Sequence, residues 1–217
     1  MAKSNKKPFK DWLYEEVSDT FGLTELVTHP TLEKLKTIKL PQDHLLRKEI
    51  EELRALLKKY IESWNEDEYK FMFISRFIGL AQYVSTHYKV FTQRPLSVKY
   101  DNDTKITEGL VEFMLAKGIQ IPRKPHFFLH EYKAEKRRDN DPLGQLLIAM
   151  VAAQKLNQDD KPIYGIYVNG RNWFIVILDN NVYSVSNPYV ATDVDIFDLF
   201  AVLLHIKDLM EEIYSEP

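Results

Sequence analysis

Four places in this chain set an acid two residues before a lysine: Glu68-Tyr-Lys70, Asp103-Thr-Lys105, Glu131-Tyr-Lys133 and Asp159-Asp-Lys161. A pattern this short gains meaning only from its neighbours. Glu68 sits in a helical pattern, where residues two apart point to different sides. Asp103 and Asp159 fall in polar turns. Only Glu131 and Lys133 continue an apolar strand run, Phe127-Phe128-Leu129. In a strand, residues i and i+2 face the same side, so the two project together on the face of Phe127 and Leu129. An ionisable pair on a core-side face is costly unless it is paired or metal-bound.

A second acid stands out in the same way. Glu112 is flanked by Leu110, Val111, Phe113 and Met114. If the strands around it and around Glu131 are neighbours, the two carboxylates approach within bridging distance of one ion. Carboxylates with backbone or water oxygens suit Mg²⁺ or Mn²⁺. Such an ion lowers the pKa of a bound water and neutralises phosphate charge, while Lys133 orients the nucleophile or holds the phosphate. The competing reading makes Glu112 an exposed sheet residue and Glu131–Lys133 a surface pair. Other chemistries are poorly served. The chain has no cysteine, which excludes disulfides, thiolate metal sites and a cysteine nucleophile. Its six histidines show no H-E-x-x-H spacing, and there is no G-x-S-x-G, Walker loop or dinucleotide fingerprint. His130, next to Glu131, points to the other strand face and reads as structural, as does His205 inside an apolar helix.

The elements that would hold these residues can be read from periodicity. Residues 1–62 read as a helical region. Within 43–62 and just beyond, Leu46, Ile50, Leu53, Leu57, Tyr60 and Trp64 recur at three- and four-residue steps, an amphipathic stripe. It suits packing on its own domain, with a homodimer seam as the second reading. A helix over 65–85 comes next, its first turn acidic where the helix dipole favours acids. Its expected buried side is Phe71, Ile74, Phe77, Ile78 and Ala81. Strands are predicted at 89–100 with an interruption near Pro95, at 110–116 and at 126–135. Asp141 caps and Pro142 starts a helix running to about residue 157. The runs 163–168 and 171–178 flank Asn169-Gly170, a type I′ hairpin signal. Tyr164, Tyr167, Trp173 and Phe174 on it read as sheet packing rather than as a base-stacking surface. A short strand and a final helix, 195–213, complete the chain. Helices returning between strands make the core α/β with a mixed sheet.

Charge is nearly balanced overall, 29 Lys+Arg against 32 Asp+Glu, and this excludes a broadly basic nucleic-acid coat. The distribution is uneven. Arg123, Lys124, Lys133, Lys136, Arg137 and Arg138 fall close together in sequence, a set suited to phosphate contacts or to a solvated loop. Residues 193–217 carry seven acids and one lysine. No apolar run approaches the roughly 20 residues of a membrane span, and the first residues lack a secretory pattern, so a cytoplasmic protein is expected.

Glu-Gly-Leu-Val-Glu112-Phe, then Glu131-Tyr-Lys133 on the next strand run, then a helix opening Gln145-Leu-Leu, resembles the PD-(D/E)xK nuclease superfamily. The likeness is to the nuclease-type domains at the N-terminus of type I restriction motor subunits, and it covers about residues 63–190. It implies a restriction-endonuclease-like domain over 63–217: a mixed central sheet flanked by helices, after the helical region 1–62. By this resemblance Glu112 is the first acid, Glu131 the second and Lys133 the motif lysine. Glu66 is the helix acid, with Glu68 nearly equal, and Gln145 is a helix residue near the site. Mg²⁺ or Mn²⁺ would be held by Glu112, Glu131 and Glu66. Arg123, Lys124, Lys136, Arg137 and Arg138 would meet nucleic acid, with DNA the expected substrate. No Pro precedes Glu112, and that acid is Glu rather than Asp, departures that leave a catalytically inactive module binding nucleic acid or a partner protein as the alternative.

Overall fold

A computed structural model describes residues 6–132 and 141–215, with the backbone alone at 131 and 132. The order is β1 (Lys6–Pro8), a short 3₁₀ turn (Phe9–Asp11), α1 (Tyr14–Phe21), β2 (Thr24–Glu25), α2 (Pro30–Thr37) and α3 (Arg47–Tyr60). Then come α4 (Glu66–Tyr69), a π-helical turn (Lys70–Ile74), α5 (Ser75–Leu80), β3 (Lys89–Tyr100), β4 (Lys105–Lys117) and β5 (Arg123–Tyr132). The chain continues through α6 (Pro142–Asn157), β6 (Ile163–Asn169), β7 (Asn172–Asp179), β8 (Val182–Val185), β9 (Tyr189–Val190) and α7 (Asp195–Ser215).

The fold is α/β, with one mixed sheet flanked by helices. Its spine runs β1-β4-β5-β6-β7-β8-β2, with β3 also pairing β4 and β9 pairing β7. β3, β4 and β5 form an antiparallel meander. α6 then crosses over so that β6 lies parallel to β5, with Leu129 beside Ile166 and Glu131 beside Val168. Residues 1–62 are not helical throughout: the short strand β1 joins β4 in parallel, and β2 joins β8 in the same way. Pro95 does not interrupt β3, which stays in register with β4 through Pro95 opposite Leu110. β3 is an edge strand, where a residue without an N–H costs no ladder bond.

Two apolar clusters fill the two sides of the sheet. On one side α6 is buried almost all round, from Gly144 to Ala153, against Phe128, Met114 and Val176. Asp141 caps it through Gly144 N at 3.0 Å and also accepts from Tyr14 N at 2.6 Å, which ties the N-terminal segment to the helix start. Gly144 permits this crossing, since a Cβ there would meet the carbonyl oxygen of Trp12 at 2.4 Å. On the other side α3, α5, α7 and the π turn cover Leu115, Phe127, Leu129 and Ile166. The α3 stripe is used within the chain: Ile50, Leu53 and Leu57 are buried in this cluster, and α3 packs on α7.

The helix predicted over 65–85 carries a register change. Tyr69, Phe73 and Phe77 stack at four-residue steps, with ring centroids 5.7 and 5.4 Å apart. Phe71, expected on the buried side, is 75% exposed, and Phe73 takes the core position instead. A π turn inserts a residue into the helical repeat and rotates the next turns of the helix. The β6–β7 turn is also displaced by one residue from the Asn-Gly expectation. Its central residues are Gly170 and Arg171, and of these only Gly170 has a positive φ, 58°. Tyr167 and Phe174 stack across the hairpin at 4.6 Å, and Trp173 is fully buried, as sheet packing requires.

Candidate metal and phosphate site

The site begins with a break in the alternation of β4. Val111 packs into the α6-side cluster, and so does Met114 three residues later, whereas Phe113 and Leu115 pack on the opposite side. Strict alternation would put Val111 and Phe113 on one side. The sides therefore exchange at Glu112–Phe113. The partner strand does the same. Phe91 and Leu96 of β3 share the α6 side, and between them Gln93 has φ of 51°. Gln93 falls opposite Glu112, between the pairs Thr92–Phe113 and Arg94–Val111. Such irregularities re-aim side chains. Here the effect is to turn Glu112 toward α4 and the π turn.

Glu112 meets Lys70 there, the first residue of the π turn. Lys70 Nζ donates to Glu112 Oε1 at 2.7 Å and to Glu66 Oε1 at 2.7 Å. The two carboxylates therefore both pair with the Lys70 ammonium. All three side chains are partly open to solvent, at 20% for Glu112, 28% for Lys70 and 32% for Glu66. Helix position is fixed from both ends. Asn65 and Glu68 form a reciprocal capping box, Asn65 N donating to Glu68 Oε2 at 2.8 Å and Glu68 N to Asn65 Oδ1 at 3.0 Å. Tyr69 OH donates to the Gly170 carbonyl at 2.9 Å, pinning α4 to the β6–β7 hairpin. Glu68 is thus engaged as a cap, and Glu66 is the helix acid that joins Glu112.

The remaining candidates are placed differently. Glu131 holds a backbone position in β5 paired with Val168, two residues beyond the buried Leu129. Its carboxylate, together with Lys133, Lys136, Arg137 and Arg138, lies outside the described residues. Gln145 is on the α6 layer, buried, and meets His130 Nε2 at 3.0 Å through its Oε1. That bond gives His130 the structural role expected of it. Arg123 and Lys124 begin β5, at the opposite end of the strand from Glu131, about 26 Å away at the usual strand rise. Lys124 pairs with Asp159 at 3.7 Å. His205 differs from expectation, since its buried Nε2 has no hydrogen-bond partner among the described residues. Burial, reinforced by the charge of Lys34, lowers its pKa.

Lys70 is the residue that sequence reasoning misses. The acid-x-Lys pattern sets it against Glu68, two positions away, whereas its helical partner is Glu66 at the i, i+4 spacing. Among the described residues no three His, Asp or Glu side chains are grouped as a metal cage, and no described helix is long and apolar enough to cross a membrane. No protein-family model matches the chain, and no curated protein matches it.

Proposed function

We propose that this chain is a metal-dependent phosphodiesterase acting on nucleic acid, with DNA the expected substrate, built on a restriction-endonuclease-like domain. The observation that carries the reading is the convergence of Glu66, from a helix start, and Glu112, from a strand irregularity, on a single cation, the Lys70 ammonium. The succession of helix, three antiparallel strands, crossover helix and parallel strand supports the fold part of the reading.

The donor set suits a hard divalent cation: carboxylate oxygens already arranged around one positive charge. Glu66, Glu112 and Glu131 would hold Mg²⁺ or Mn²⁺, which when bound supplies an activated water and neutralises phosphate charge. Lys70, on the cleft side of the two acids, would add a positive charge for a phosphate oxygen. Glu112 and Glu66 orient the attacking and leaving groups through fixed positions on sheet and helix. Lys133, by the motif it completes, holds or deprotonates the nucleophile.

The test is cleavage of plasmid, single-stranded DNA and RNA by contaminant-free protein with Mg²⁺ or Mn²⁺ against EDTA. Metal-dependent cutting that disappears in Lys133→Ala, with an unchanged melting curve, is the expected result. No cutting of any substrate overturns the reading. A second reading rests on Lys70 itself, whose ammonium pairs with both acids. It makes the chain a non-catalytic module that binds nucleic acid or a partner protein. Calorimetry that detects no Mg²⁺ binding, together with intact nucleic-acid binding, selects it.

A further inference from the structure

Beside the carboxylates opens a cleft of about 510 Å³, with Glu112 and Lys70 on its rim. Its walls are apolar and aromatic: Ile74 and Ile78 from the helix, Tyr83 after it, and Phe113 and Leu129 from the sheet. Tyr83 and Phe113 meet edge to face at 6.3 Å and give the cleft an aromatic corner. Two primary amides line the same space, those of Gln82 and Gln93. Both residues are exposed, and both adopt left-handed backbone, φ 53° and 51°. A non-glycine residue in that region is held against a local cost, and such positions gather at ligand sites. The two features are physically linked. The irregularity that turns Glu112 toward Lys70 lies opposite Gln93 in the β3–β4 register, so one backbone feature sets both the acid and the cleft amide.

From this we infer that the cleft is a base-binding subsite, which takes an unstacked nucleobase of a strand whose phosphate meets the Lys70 ammonium on the cleft rim. The inference rests on the nucleic-acid reading above and narrows it. A nucleobase has flat apolar faces and a polar edge carrying donors and acceptors. The cleft offers the complement: apolar walls with an aromatic corner, and two amides that each donate and accept. A base stacked in an intact duplex cannot enter, so the preferred substrate is single-stranded or locally opened.

Gly79 supplies the test. It lines the cleft on α5, and a Cβ built there meets nothing within 4 Å. Gly79→Leu therefore fills the cleft without forcing the backbone, and removing a helical glycine favours the fold. Binding is measured in EDTA by fluorescence anisotropy with the full chain. The probes are a short oligo-dT strand, an oligo-U strand of equal length, an abasic chain with the same phosphates, and a blunt duplex. The expected result is that oligo-dT or oligo-U binds at least about tenfold more tightly than the abasic chain, the size of a stacked-base contribution. Gly79→Leu abolishes that difference and keeps or raises the melting temperature. Gln93→Gly, which preserves the positive φ and removes the amide, weakens base-containing probes several-fold and leaves the abasic chain unchanged.

Equal affinity for the abasic chain and the base-containing strands overturns the subsite, as does a Gly79→Leu protein that binds like wild type. The two readings fail separately. Metal-dependent cleavage without any base preference keeps the phosphodiesterase and removes the subsite. A base preference lost in Gly79→Leu, with no cleavage under any metal, keeps the subsite and removes the catalysis. Comparison of oligo-U with an oligo-dU strand, which differs from it only in the 2′-OH, assigns the sugar.

Discussion

Two polar clusters tie distant parts of this chain together, and they are built in opposite ways. The first, Glu66–Lys70–Glu112, holds three charged groups that are a fifth to a third exposed at the mouth of a cleft. The second joins β4, β5, the end of α6 and α7 at the far end of β5, around His126, which is 1% exposed. There Tyr214 OH accepts from His126 N at 3.0 Å and lies 2.7 Å from the Leu115 carbonyl and 3.0 Å from that of Lys124. Asn157 Nδ2 donates to the Pro125 carbonyl at 2.8 Å and meets His126 Nε2 at 3.3 Å. In the closed cluster nearly every bond ends on a backbone group shielded from water. In the open one the bonds run between side-chain charges that can exchange partners. Burial with backbone partners marks a joint. Partial exposure, with two acids meeting a lysine at the mouth of a cleft, marks a place where something else can bind.

The sharpest way to break the comparison is to exchange the readouts. Glu112→Gln removes a charge from the open cluster and leaves Lys70 paired with Glu66. Cleavage is expected to fall more than about a hundredfold, the usual scale for losing a group that acts on the transition state, while the melting temperature changes little. A cleavage rate within a few-fold of wild type would place the chemistry elsewhere. Tyr214→Phe does the reverse. It strands the His126 amide and removes the one O–H donor that the Leu115 and Lys124 carbonyls share, costing about 1–3 kcal/mol, or roughly 2–12 °C in melting temperature at this chain length. Cleavage per folded molecule should not change. A Tyr214→Phe protein that melts like wild type would show that the joint carries no stability.

Within the open cluster, Glu66 and Glu68 sharpen the same contrast over two residues. Glu68 closes the capping box, so Glu68→Ala is expected to cost about 0.5–1 kcal/mol of stability, the usual scale for a cap, with activity retained. Glu66→Ala should leave stability nearly unchanged and depress metal-dependent cleavage. If both variants lower activity equally, helix position rather than the Glu66 carboxylate is what matters.

Particular residues show how far the sequence can be read. Glu112 is visible because an acid inside Leu-Val-x-Phe-Met is conspicuous, and the helix start is visible because Asn65 precedes three acids. The α6 helix announces itself through Asp141-Pro142. The hidden features are ones that side-chain type does not encode. Nothing in Lys-Phe-Met-Phe-Ile announces a π turn, so Phe71 and Phe73 exchange places. The alternation break at Glu112 arises from β3 and β4 together, through a left-handed Gln93 that no propensity favours. β1 and β2 form only because β4 and β8, remote in the chain, offer them edges. Arg123 and Lys124 begin the strand that carries Glu131, and along an extended strand closeness in sequence is distance in space.

The smallest effect expected is a pH dependence from two histidines, His126 in the closed cluster and His205 on α7. Burial lowers the pKa of His126 below its ordinary 6.5, outweighing the opposing pull of Asp159 and the Pro162 carbonyl, with Lys161 and Lys124 adding to the lowering. Between the folded value and 6.5, the unfolded chain therefore binds the proton more readily. Stability from this group is complete above about 6.5 and is lost as pH falls through that window toward the folded value. Denaturant unfolding at a series of pH values should show a slope no steeper than two protons, and His126→Gln should reduce it by up to one. Asp159→Asn removes the strongest influence holding the His126 pKa up, so the window should extend to lower pH and the acid loss should deepen. The open cluster gives the control. Because Glu66 and Glu112 share Lys70 near solvent, Glu112→Gln should leave the slope between pH 6 and 7 unchanged. A slope that moves with Glu112 instead would mean that the two ends of β5 are coupled rather than independent.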